Sequence, residues 1–235
     1  DTLQSALGPS FGVVFLNGAC GDVTQVDNRS ERPMEMGAYW AERTGRVVAG
    51  AALQAIVRAN PCREATLGIR TSNLRAAIRR STPEMIRQAQ ACLSKSPVVG
   101  SNVDAVFARE LLTVERMRRK TPTRVLELSA FRVGDAVFWG VPGELFQSFA
   151  LAVRDQSPFA YTGCVELANG YNGYICTPEA FAGGGYEVRT ARSSILEPDT
   201  GANVVKTVSR MLIDLYKQAQ SEIEQIPRYY VWPVG

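Results

Sequence analysis

Thr123-Arg124-Val125-Leu126-Glu127-Leu128-Ser129-Ala130-Phe131, followed by Val133-Gly134-Asp135 and then Ala136-Val137-Phe138-Trp139-Gly140, is the stretch that decides the fold. The first segment reads as a strand, the second as a turn and the third as a returning strand. The hairpin feeds directly into Val141-Pro142-Gly143-Glu144. A carboxylate that follows Pro-Gly at the end of a strand is expected at the mouth of a loop.

Downstream, Phe146 to Val153 suits a helix, and Thr162 to Ala168 a strand that leads into Asn169-Gly170-Tyr171-Asn172-Gly173-Tyr174. Thr177-Pro178-Glu179-Ala180-Phe181 reads as a one-turn helix with its own cap. A third glycine loop, Ala182-Gly183-Gly184-Gly185-Tyr186-Glu187, follows. Three successive glycine-bearing loops, each presenting a carboxylate or a phenol, suggest binding residues held on a rigid scaffold. Asn203 is expected to cap a last long helix with an apolar stripe of Val204, Val208, Leu212 and Leu215. Pro227 should end it, leaving the aromatic tail Tyr229 to Trp232.

Upstream, Phe11-Gly12-Val13-Val14-Phe15-Leu16 is a continuous apolar run that reads as a buried strand. It ends in Asn17-Gly18-Ala19-Cys20-Gly21-Asp22-Val23-Thr24, which suits either a ligand-facing loop or a plain turn. Met34 to Ala59 is expected to be a helix with Trp40, Val47, Val48, Ala51, Ala55 and Ile56 on one stripe. Leu67, Ile69 and Thr71 alternate as in a half-buried strand over Thr66 to Ala76. Arg75, Arg79 and Arg80 read as a solvated basic edge. Ser81-Thr82-Pro83-Glu84 starts a helix that runs to about Ser94. Another spans Val103 to Lys120, and its basic last turn complements the helix dipole. The whole reads as one α/β or α+β domain, residues 1–235, with several helices over a mixed sheet.

Composition narrows the chemistry. A net charge of +3 on 235 residues, with scattered Lys and Arg, argues against a nucleic-acid partner. No apolar run reaches the roughly 18 residues of a transmembrane helix. The five cysteines Cys20, Cys62, Cys92, Cys164 and Cys176 show no CxxC pairing, so buried free thiols are expected. The compartment stays open, since any secretory or periplasmic signal would lie upstream of Asp1. Histidine is absent altogether. The chain therefore cannot assemble a Ser-His-Asp triad or a histidine zinc site from its own residues. Glu144 with nearby phenols could serve as hard metal ligands, as a general base with an oxyanion donor, or as a structural hydrogen bond.

At these residues the chain resembles the neutral/alkaline (non-lysosomal) ceramidase family. The resemblance rests on Phe15-Leu16-Asn17-Gly18-Ala19-Cys20-Gly21-Asp22-Val23-Thr24, on Val141-Pro142-Gly143-Glu144, on Asn169 to Tyr174 with Thr177, and on Gly185-Tyr186-Glu187. It implies the C-terminal half of a ceramidase-like catalytic domain, and a zinc-dependent amidase that hydrolyses the N-acyl bond of a ceramide-like lipid with metal-activated water. In that pattern Glu144 and Tyr174 are zinc ligands, joined by two histidines from the N-terminal half. The active-site serine position falls on Thr24, and Tyr186 joins it as a catalytic phenol. Gly18, Gly21, Asp22 and Asn169 fall on substrate-binding positions. Thr24 and Gln25 stand where the family carries Ser and Pro. The missing histidines imply a second chain or N-terminal fragment as partner. The other readings are a hydrolase acting on a non-sphingolipid amide or ester, and a non-catalytic binding subunit.

Overall fold

The computed structural model describes residues 1–31, 35–60, 65–95 and 102–224. Pro61, Cys62, the Pro227 stop and the Tyr229–Trp232 tail lie outside the described residues. The chain divides into two compact units, one of residues 1–16 and 23–65, the other of residues 17–22 and 66–235.

The first unit holds helix α1 (Thr2–Leu7) and helix α2 (Ala38–Arg58). Gly37 precedes α2, so the helix begins later than the expected Met34, which lies outside the described residues. None of its residues is buried, and Val47, Val48 and Val57 are exposed. Phe11–Leu16 is not a strand, which corrects the expectation of a buried one. Its residues have no ladder partner among the described residues, and Val14 and Phe15 are 84% and 75% exposed. An apolar run becomes a strand only where another strand takes up its backbone N–H and C=O groups.

The second unit is built on a four-stranded sheet in the order β1 (Leu67–Ala77), β2 (Thr123–Val133), β3 (Ala136–Val141) and β5 (Tyr161–Glu166). β1–β2 and β2–β3 are antiparallel, while β3–β5 is parallel, so the sheet is mixed and the fold is α+β. Val133-Gly134-Asp135 makes the hairpin turn and pairs Val133 with Ala136. β3 lies between two strands, and Val137, Trp139 and Val141 are buried in the core. The parallel β3–β5 step needs a crossover, and helix α5 (Gln147–Gln156) supplies it.

Alternation sends Leu126, Leu128 and Ala130 of β2 inward. Helix α7 (Thr200–Glu224) covers them with Val204, Val208, Leu212 and Leu215, all fully buried. Each such side chain contributes roughly 1.5–3 kcal/mol on leaving water. α7 starts earlier than expected. The Asn203 N–H already makes the i to i−4 bond to the Asp199 carbonyl, so Asn203 is inside the helix and is not its cap. β1 is a strand as read, but its faces are reversed. Leu67 and Ile69 are exposed, while Ala76 is buried and Leu74 packs on the core, because α7 lies on the opposite face. Helices α3 (Pro83–Lys95) and α4 (Val103–Lys120) form the excursion between β1 and β2. Thr82 Oγ1 accepts from Met85 N–H, and Asn102 Oδ1 from Asp104 and Ala105 N–H. In the basic last turn of α4, Arg118 and Arg119 both reach back to buried Glu115. Arg79 is not part of a solvated edge. Its guanidinium donates to the Val188 and Ser194 carbonyls and lies over the Phe181 ring, and burial lowers its pKa.

Candidate active site

A two-stranded parallel ladder, β4 (Glu144–Leu145) with β6 (Tyr174–Ile175), places Glu144 directly opposite Tyr174. Glu144 N–H donates to the Gly173 carbonyl at 2.9 Å, and Phe146 N–H to Ile175 at 3.1 Å. On the far side of β6, Tyr174 N–H donates to the Ser193 carbonyl at 2.8 Å. Gly173 has φ of 77°, and a Cβ on it would sit 2.3 Å from that Ser193 oxygen. Only glycine allows the two loops to approach this closely. Asn172 Nδ2 ties its loop to the segment that carries Glu144, donating to the Pro142 carbonyl at 3.1 Å.

The side chains converge as well. Tyr171 Oη donates to Glu144 Oε1 at 2.8 Å, and Tyr174 lies opposite Glu144 on the ladder. Burial, and then the Glu144 bond and charge, push the Tyr171 phenol up to about 12. The same causes raise Tyr174 further. The Tyr171 hydroxyl is thus a protonated donor to Glu144. The Tyr186 ring stands edge-on to Tyr174 at 6.0 Å and to Phe107 at 6.1 Å. Arg189 lies 3.8 Å over the Phe107 ring and pairs with Asp104 at 3.0 Å. A carboxylate bonded to one phenol and set opposite a second thus stands beside a cluster of aromatic rings.

Glu166, buried at the end of β5, secures the Asn17–Asp22 loop to this frame. Its Oε2 accepts from Cys20 N–H at 2.7 Å and from Leu145 N–H at 3.1 Å. Its own N–H donates to the Asn17 carbonyl at 2.9 Å. The Cys20 thiol, 3.1 Å from Oε1, is raised by burial first and by Glu166 next. Gly21 N–H donates to Leu145 O at 2.9 Å, and a Cβ at Gly21 would lie 2.5 Å from Glu144 O. Asp22 Oδ1 accepts from Gln147 N–H at 2.7 Å, at the first turn of α5. A negative charge there complements the helix dipole.

The structure thus gathers Glu144, Tyr174 and Tyr186, and sets Gly21 and Asp22 against the backbone that carries Glu144. Gly18 is exposed, with no atom near the place of a Cβ. Asn169 adopts φ of 65° and donates to Ser129 Oγ on β2 at 3.3 Å. Thr24 belongs to the first unit, where its Oγ1 accepts from Val26 N–H at 3.4 Å. Sequence reasoning overlooked Glu166, Tyr171 and Phe107. The one signal for Glu166 was a single carboxylate ending an otherwise apolar strand.

Among the described residues no three His, Cys, Asp or Glu side chains gather into a metal-holding group. Glu144 and Tyr174 fit a metal as two hard oxygen donors of a larger set. Among the described residues no helix is long and apolar enough to cross a membrane.

No family model and no curated protein matches this chain. Among solved structures, the neutral ceramidase from Pseudomonas aeruginosa aligns over 87% of this chain at 17% identity, with a TM-score of 0.52. A ceramidase complexed with C2 overlaps 40% of this chain and 15% of its own at 26% identity, with a TM-score of 0.36 that adds nothing to the fold. The chain spans 37% of the length of the Pseudomonas enzyme. Over that length, this chain resembles a neutral ceramidase in fold.

Proposed function

We propose that this chain forms part of a zinc-dependent amidase that hydrolyses the N-acyl bond of a ceramide-like lipid. The observation that most supports this is the pairing of Glu144 with Tyr174 across β4–β6. These are the two positions where the family resemblance puts oxygen ligands. Zinc bound there would polarise the amide carbonyl and lower the pKa of a water toward neutrality. Glu144 would offer a carboxylate oxygen to the metal beside the Tyr174 oxygen. Tyr171, held protonated, would keep donating to Glu144 and fix its carboxylate plane. Tyr186, exposed beside Tyr174, would donate to the developing oxyanion. The Thr24 hydroxyl would contact substrate. It would not act as a lone nucleophile, because no histidine in this chain could activate it. An open catalytic zinc site takes about three protein ligands, often with a histidine pair. The histidines would come from a further polypeptide segment or a partner chain.

The test is hydrolysis of N-acylsphingosines and of N-acyl amides without a sphingoid base by the complete assembly. Glu144→Gln should lower turnover by about a hundredfold or more, and Tyr186→Phe by about a hundredfold, with the fold intact. Thr24→Val should reduce turnover while leaving metal content unchanged. Cleavage of non-sphingoid amides alone would move the substrate class, and full turnover in Glu144→Gln would overturn the reading.

A further inference from the structure

β1 is an eleven-residue strand at the edge of the sheet, and among the described residues its sheet partner is β2 alone. One end of it meets another segment, where Glu197 N–H donates to the Ala77 carbonyl at 3.1 Å. A long open edge of this kind is a template for a further strand unless charge, proline or a cover protects it. β1 carries no proline, and its outward face is apolar at the Leu67–Ile69 end and polar at Thr71, Asn73 and Arg75. Leu67 and Ile69 are 72% and 65% exposed. Ile69, Phe131 and Phe138 form one row across three strands, with the two phenylalanine rings 5.6 Å apart.

The inward side of the same edge is different. Between β1 and α7 runs a groove of about 440 Å³ lined by Arg70, Ser72, Lys206, Arg210, Met211 and Asp214, among others. Three cations face one acid. Arg70 also reaches Gln218, whereas Lys206 and Arg210 lie exposed on α7 with no ion-pair partner among the described residues. An open strand edge flanked by a helix is the setting in which an extended segment joins a sheet by main-chain hydrogen bonds.

We infer that the β1 edge is completed by a strand from a second polypeptide, with acidic residues facing the α7 groove and apolar residues continuing the Leu67–Ile69 face. Strand alternation dictates this pattern, since successive residues of the added strand point to opposite faces. A second copy of this chain fits poorly. Pairing two β1 edges about a two-fold axis would bring Lys206 and Arg210 toward the same cations of the other copy. The inference does not depend on the amidase reading, because it involves neither Glu144 nor any metal.

The probe is an acetylated, amidated peptide of alternating valine and glutamate about ten residues long. Two controls accompany it, one with lysine for glutamate and one N-methylated at alternate amides. The glutamate peptide should bind the purified chain in fluorescence anisotropy and slow hydrogen exchange of amides within 67–76 by at least about tenfold. Both controls should bind at least about tenfold more weakly, because one inverts the charge and the other blocks main-chain pairing. The double variant Lys206→Glu, Arg210→Glu alters exposed residues only, so it should melt like the parent and weaken the glutamate peptide at least about tenfold. Equal binding of the glutamate and lysine peptides, or protection elsewhere than 67–76, would overturn the inference. So would a concentration-dependent dimer of the chain alone that protects the same amides, since a second copy would then be the occupant.

Discussion

Phe11-Gly12-Val13-Val14-Phe15-Leu16 and Ala136-Val137-Phe138-Trp139-Gly140-Val141 are two apolar hexapeptides with opposite fates. The second is β3, hydrogen-bonded to β2 on one side and β5 on the other, with Trp139 buried. The first is no strand, and most of its side chains face outward. Their hydropathy does not distinguish them. What separates them is a neighbour. The Gly134 turn returns β3 onto β2 within a few residues, whereas among the described residues nothing near Phe11 in sequence supplies a pairing strand. Apolar content thus marks a segment that can be buried, and local connectivity decides whether this unit buries it.

Substitutions in the two hexapeptides measure that contrast. Trp139→Ala should cost about 3–5 kcal/mol in urea unfolding, by lost burial and a cavity. Phe15→Ala should change the stability of this chain by no more than about 0.5 kcal/mol, as at other exposed positions. A cost for Phe15→Ala of about 2 kcal/mol or more would mean that the first hexapeptide is packed after all.

Glu166→Ala should come next, at about 3 kcal/mol, because it strips a charged acceptor from the Cys20 and Leu145 amides. Asp22→Ala, at the partly solvated start of α5, should cost about 1 kcal/mol. If the two cost the same in thermal melts, Glu166 is not what anchors the loop.

The smallest effect is electrostatic. The Tyr171 phenol titrates near 12 against an ordinary 10. A raised folded pKa adds stability while the phenol is protonated, and that share is lost as pH rises from about 10 through about 12. Glu144→Gln removes the charge that contributes to this, so phenolate absorbance of Tyr171 should appear at lower pH. An unchanged titration curve would leave burial as the sole cause.

Much of the fold was legible. The Thr123–Val141 hairpin, the cap at Thr82, the Val103–Lys120 helix and the stripe on α7 all follow from local rules, and they lie where expected. The faces of β1 were not legible, because alternation marks two faces without saying which one α7 will cover. Arg79 resembled its neighbours in sequence, but distant carbonyls at Val188 and Ser194 draw it inward. For the site, Glu144, Tyr174 and Tyr186 announced themselves through glycine loops and motif position. Glu166 did not, since its role exists only once Asn17–Asp22 has folded against β4, and those partners are 21 or more residues away in sequence.

We propose that Glu144 and Tyr174 are two ligands of a zinc site completed from outside this chain. Zinc content by mass spectrometry tests it, on the purified chain and on the chain reconstituted with a histidine-bearing segment. The expected result is about one zinc per assembly, little in the chain alone, and loss of the metal in Glu144→Gln and Tyr174→Phe assemblies. A full equivalent of zinc in the chain alone, or an undiminished one in the Glu144→Gln assembly, would contradict it.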